Sequence, residues 1–214
     1  MMNPDGVYLG NYRGNLLGID LNRIWDRSSP HAHPTAHVLK NLIAKLSGSE
    51  NASPLDFVLD IHVSNTMLGF FVVGNAYDSV FRNERHIVFP KMLAQNTKDF
   101  SQENTMYNKD GDKAGTARMF LSKMIENENT NIYSLEVSMY GYKPDPKSDK
   151  IVTYTEENCK SLWLWVSALS VFYFQTSFTA AVSAGLCGII TRYLAILRAV
   201  RSLVRRWVAD ILIY

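Results

Sequence analysis

The chain has 214 residues, 47% of them hydrophobic and 20% charged, an ordinary globular composition long enough to bury one sizeable core. A formal net charge of +2 and a pI near 8.5 exclude the single-sign field of a nucleic-acid binder, so no nucleic-acid partner is expected and partners must be read from sites. Two cysteines, Cys159 and Cys187, exclude a disulfide framework and fit a reducing, cytoplasmic compartment; Met1 to Gly6 carry no basic stretch followed by an apolar one, so no secretory signal is expected.

From the N-terminus, the first strong periodicity is Pro34 to Leu46. Val38, Leu39, Leu42, Ile43 and Leu46 form one helical stripe, with Pro34 suited to the first turn and Gly48 just past the end. Leu55 to His62 alternates apolar and polar residues and predicts a strand ending at His62. Val80 to Asn96 predicts a helix interrupted at Pro90, Asn104 to Gly115 a polar loop, and Arg118 to Asn127 a further helix. Ile132 to Tyr140 predicts a second strand, with Tyr133, Leu135, Val137 and Met139 on one face and Ser134, Glu136 and Ser138 on the other. Strands alternating with helices predict an α/β sheet with helices on its faces.

Composition changes near Cys159, which divides the chain into 1–158 and a tail, 159–214. Ser161 to Thr191 is an uncharged run of 31 residues, long enough to span a bilayer, and five arginines follow between Arg192 and Arg206. Three readings stay open for this apolar, helical tail: a membrane segment at 161–191, translated non-homologous sequence, or a buried helical hairpin. Membrane association through 161–206 would also suit a basic amphipathic helix from Arg192 to Trp207. A cytosolic anchor is awkward here, because the arginines would keep the tail inside and send the rest across.

Taken singly, the polar residues inside these elements are ambiguous. His62 at a strand end is more often a hydrogen-bonded core histidine than a metal ligand. His31, His33 and His37 have ligand-like spacing but lie at a loop-to-helix junction, where exposed polar residues are normal. Asn22 and Arg23 offer an amide and a guanidinium fork that suit a carboxylate or an internal salt bridge. Glu136 is harder to explain blandly, since a carboxylate taken out of water needs a cation, a metal or a use.

In order, five segments carry a more specific signal: Asn3-Pro4-Asp5-Gly6 through Arg13, Asp20-Leu21-Asn22-Arg23-Ile24-Trp25, Asp60-Ile61-His62, Lys113 through Arg118, and Leu135-Glu136-Val137-Ser138. From the N-terminus to about Asn158 the chain resembles the zinc metallocarboxypeptidases, and within them the cytosolic carboxypeptidases. The resemblance implies a mixed central sheet with helices on both faces and one zinc ion. It implies removal of C-terminal glutamates from polyglutamylated proteins, tubulin among them. It makes His62 a metal ligand, Asn22 and Arg23 the grip on the terminal carboxylate, Arg13 the cation facing the scissile carbonyl, Glu136 the general acid/base and Arg118 the determinant of acidic side-chain preference. Tyr107 is a weaker candidate for a substrate-contacting tyrosine.

The chemistry suits these residue types. Amide hydrolysis needs an activated water and stabilisation of a developing oxyanion, a carboxylate to move the proton, and a fork that restricts cleavage to chain ends. The chain also departs from the family. The His-x-x-Glu pair expected upstream of Asn3-Pro4-Asp5-Gly6 is absent, so an N-terminally incomplete catalytic domain with one of three zinc ligands is expected to hold zinc weakly. Val63-Ser64-Asn65 replaces the family's Ala-His-Ser. Two alternatives follow: an inactive relative that binds acidic tails through Arg13, Arg23 and Arg118, or a membrane-associated interaction protein.

Overall fold

The computed structural model describes residues 1–48, 55–109, 111–125, 127–145, 147, 149–162 and 166; the expected membrane segment and basic helix otherwise lie outside them. Among the described residues no helix is long and apolar enough to cross a membrane.

Among the described residues four α-helices and four strands follow one another: α1 Pro4–Leu9, α2 Pro34–Gly48, β1 Phe57–Ser64, β2 Phe70–Asn75, α3 Val80–Asn96, β3 Met106–Asn108, α4 Ala117–Met124 and β4 Asn131–Ser138. The sheet runs in the order β1-β4-β2-β3, with β1 parallel to β4, β4 antiparallel to β2, and β2 parallel to β3. This is the mixed α/β sheet that the resemblance implies.

Helix α1 is not signalled by periodicity; it is built by its caps. Asn3 accepts a hydrogen bond from the Gly6 N–H, Pro4 fits the first turn, and Gly10 closes the helix at φ 74°, a left-handed conformation that costs glycine least. In α2 the buried stripe is narrower than expected. Ala36, Leu39 and Ile43 turn to the core, while Val38, Leu42 and Leu46 are exposed, because the helix rests on its neighbours along one edge only.

Helix α3 is not interrupted at Pro90, which is buried within it. Proline removes the N–H that would have bonded the His86 carbonyl, and the Tyr133 hydroxyl donates to that carbonyl instead, at 2.8 Å. The substitute donor from β4 lets the helix continue. Strand β1 runs past His62 to Ser64, since Val63 and Ser64 still pair with Val137 and Ser138. The segment expected to be a loop contains β3, whose three residues pair with β2, and the last predicted helix stops at Met124.

Alternation in β4 divides the sheet into two differently covered faces. Tyr133 and Leu135 pack with Ile61, Phe70, Val72, Phe89 and Leu93, so α3 covers this side; Leu162 and Val166 join the same cluster. On the other side Ile132 packs with residues of α2, α4 and the segment Leu21 to Trp25, and Val58 packs against them. Further along the strands that second face turns polar.

Candidate active site

The polar end of this face is set by register. Asp60, His62 and Ser64 of β1 stand opposite Ser134, Glu136 and Ser138 of β4. Partners in a parallel pair project to the same side of neighbouring strands about 4.8 Å apart, so His62 and Glu136 are neighbours by construction.

Asn22 comes to them from a 3₁₀ turn, Leu21–Arg23. One carboxylate organises this loop: Asp20 Oδ1 accepts the Asn22 N–H at 2.8 Å, while Oδ2 takes Arg13 Nε at 2.8 Å. The side-chain oxygen of Asn22 accepts the Ala117 N–H at 2.8 Å, at the first residue of α4. That bond fixes the amide orientation, so the nitrogen lies 3.0 Å from His62 Nε2. Arg23 folds its guanidinium back to its neighbour, donating to the Asn22 carbonyl at 2.8 Å, and is exposed.

His62 Nε2 also lies 2.7 Å from Asp60 Oδ2, and the Ser134 hydroxyl donates to the same oxygen at 3.4 Å. Burial alone would lower the His62 pKa; the carboxylates of Asp60 and Glu136 outweigh it and set the value above the ordinary one, with Arg13 opposing. Glu136 is raised above the usual carboxylate range, first by burial and further by Asp60, against the pull of His62, Arg13 and Arg23. A carboxyl held up by burial yet surrounded by cations is suited to taking and returning a proton.

Arg13, Asn22, Arg23, His62 and Glu136 are thus brought together. Arg118 lies on the same face but farther off. Its guanidinium is buried against the ends of β2 and β3, at the level of Ile132, four residues along β4 from Glu136 or roughly 13 Å. Tyr107 points the other way, toward α3, where its ring meets His86 and burial pushes its pKa up to about 12. Asp60 stands in one of the motif segments but was given no role there, although a period of two places it on the His62 face.

The donor set fits one arm of a zinc site. Among the described residues no group of three His, Cys, Asp or Glu side chains could hold a metal ion, the cluster of His31, His33 and His37 included.

The mixed sheet with helices on both faces and a polar site on one of them is the metallocarboxypeptidase fold. A metallo-carboxypeptidase from Burkholderia cenocepacia superposes with a TM-score of 0.66 at 21% identity, over 82% of this chain and 43% of that one. Cytosolic carboxypeptidase 6 of Mus musculus is 44% identical over 175 residues, 82% of this chain and 32% of its own length. The Homo sapiens protein of that name is 43% identical over 175 residues, covering 82% of this chain and 34% of its own length. No family profile matches. Over 82% of its length the chain is homologous to the cytosolic carboxypeptidases, and it spans about a third of the length of the curated relatives it matches.

Proposed function

We propose that this chain carries the substrate-gripping and proton-transferring part of a zinc carboxypeptidase that trims C-terminal glutamates from polyglutamylated proteins such as tubulin, in the cytosol. The observation that carries the reading is the register pair His62 and Glu136 with the Asn22 side chain, held by the Ala117 N–H, beside His62.

Asn22 and Arg23 would hold the terminal carboxylate, which an internal peptide lacks, so cleavage is confined to chain ends. Arg13, steadied by Asp20, would place a positive charge beside the scissile carbonyl. Glu136 would accept a proton from the attacking water and pass it to the leaving amine. Arg118 would favour an acidic terminal side chain. His62 would offer one arm to zinc, which when bound lowers the pKa of water and polarises a carbonyl.

The test incubates the zinc-supplemented chain with a polyglutamate-tailed peptide and follows release of glutamate by mass spectrometry. Glu136→Gln should lower turnover at least about 10²-fold while peptide binding is retained. Equal turnover in the variant would remove Glu136 from its role. Binding without release in the unaltered chain would identify a recogniser of acidic tails instead.

A further inference from the structure

Among the described residues five buried side-chain polar atoms have no hydrogen-bond partner, and four of them fall in one short stretch: Trp25 Nε1, Ser28 Oγ, His33 Nε2 and His37 Nδ1. The fold gathers these four. Trp25 opens the 3₁₀ turn Trp25–Arg27 and Ser28 closes it, and side chains three residues apart eclipse in such a turn. The N–H of the next residue, Ser29, donates to His33 Nδ1 at 3.4 Å, which lays that imidazole beside Ser28. His37 follows one helical turn later, its N–H on the His33 carbonyl at 3.0 Å, so the two imidazoles are neighbours on one face of α2. Trp25 and Ala36 share one buried cluster, which joins the turn to this helix.

The contacts also fix the tautomers. His33 Nδ1 accepts a backbone N–H, so its proton is on Nε2; His37 Nε2 faces the Asn41 amide nitrogen at 3.1 Å, so its proton is on Nδ1. The Trp25 indole N–H can only donate. Three of the four atoms are therefore donors, and the Ser28 hydroxyl can make a fourth. Neither imidazole turns a lone pair to this place, so it offers nothing to a metal cation. One water molecule has two lone pairs and cannot accept from all three N–H groups. An anion can, and the first turn of α2 adds the positive end of a helix dipole. Trp25 is 1% exposed and His33 8%, so these donors lie out of water and each needs an acceptor. Asp26, the carboxylate of the same turn, is exposed.

We propose that Trp25, Ser28, His33 and His37 form an enclosed site for one halide ion between the 3₁₀ turn and α2. A monatomic anion suits four donors that are all cut off from solvent. Bound there, it pins to α2 the turn that directly follows Asn22 and Arg23.

The experiment records thermal melts of the full chain in sodium chloride and in sodium methanesulfonate at equal ionic strength, over a range of concentrations. Chloride should raise the melting temperature by about 2–4 °C over methanesulfonate, and the gain should grow with the logarithm of concentration, as binding to the folded state alone requires. Ser28→Ala and His37→Phe should each lose at least about half of the gain, whereas His31→Gln, at an exposed position of the same stretch, should keep it. If His37→Phe fails to fold, Ser28→Ala decides. Equal melts in the two salts, a gain that survives in the folded variants, or one lost equally in His31→Gln overturns the site. A larger gain in sodium phosphate or sodium formate than in chloride assigns an oxyanion and overturns the halide. No turnover is read, so the outcome is independent of the peptidase reading.

Discussion

Tyr133 and Leu135 are completely buried against α3, whereas Ser134 and Glu136, one step further along the same strand, face His62, Asp60 and Asn22. The first pair sits among Phe70, Val72, Phe89 and Leu93 and makes hydrophobic contacts whose value scales with area removed from water. The second pair sits in an ordered polar patch where burial raises a carboxyl pKa and nearby cations lower it. Alternation within one strand therefore assigns adjacent residues to different tasks. Substitutions on the α3 face should change stability first, and substitutions on the other face should change binding or turnover first.

The largest expected effect on that comparison is Phe89→Ala. Phe89 is fully buried, with its ring 5.1 Å from that of Phe57 and 5.3 Å from that of Tyr133, so truncation should cost about 3–5 kcal/mol in chemical denaturation. A loss below about 1 kcal/mol would mean that the α3 face is not the cohesive one.

Next comes acid. His86 is buried behind Tyr133, its ring 4.2 Å away and stacked, with Nε2 accepting the Asn75 N–H at 3.1 Å and Nδ1 3.4 Å from Asn131 Oδ1. Burial is the main cause that brings its pKa down to about 4, helped by Arg82, Arg118 and Arg85 and opposed by the Asn131 contact. The unfolded chain takes this proton near the ordinary value of about 6.5, before the folded one does. The contribution is thus fully present above about pH 6.5 and lost as pH falls toward 4, on the order of 3 kcal/mol. Denaturation curves of the chain and of His86→Phe across that window should diverge. A stability profile with the same slope in both would exclude His86 as the sensor.

On the polar face, Glu136→Gln should leave stability within about 1 kcal/mol of the parent, since it removes the desolvation cost of a buried carboxylate along with its attraction to His62. Melting temperatures measured beside the turnover assay would make that separation visible; a loss comparable to Phe89→Ala would join the two faces into one structural unit.

The smallest effect belongs to the half-exposed Arg13–Asp20 pair. Arg13→Gln should cost less than about 1 kcal/mol, and that difference should fade in high salt. A larger, salt-independent loss would show that the loop holding Asn22 depends on this ion pair.

Sequence periodicity captured what is local. The parity of β4, the strand leading to His62, and helix α3 from Val80 to Asn96 follow from spacings of two and about 3.6 residues, which need no knowledge of the rest of the chain. The roles expected of Arg13, Asn22, Arg23, His62 and Glu136 came from the resemblance that five ordered segments carry, not from periodicity, since each residue taken singly was ambiguous. Strand β2 was not legible, since Phe70 to Val73 is a short unbroken apolar run that alternation cannot distinguish from a helix segment. Helix α1 and strand β3 are too short to show a period.

Which residues of the α2 stripe reach the core, whether Pro90 breaks α3, and what holds His62 and Arg118 were decided only by tertiary structure. Val38, Leu42 and Leu46 are exposed because packing uses one edge of the helix. The Tyr133 hydroxyl preserves α3 from 47 residues away in sequence. Asp60 lies two residues from His62, but its role depends on Ser134 and Asn22 arriving from other segments, and Asn75 and Asn108, which accept from Arg118, belong to two different strands. The physical reason is common to all of these. Dihedral preference and amphipathic spacing act within a few residues, whereas strand register and the pairing of buried polar groups exist only once distant segments meet.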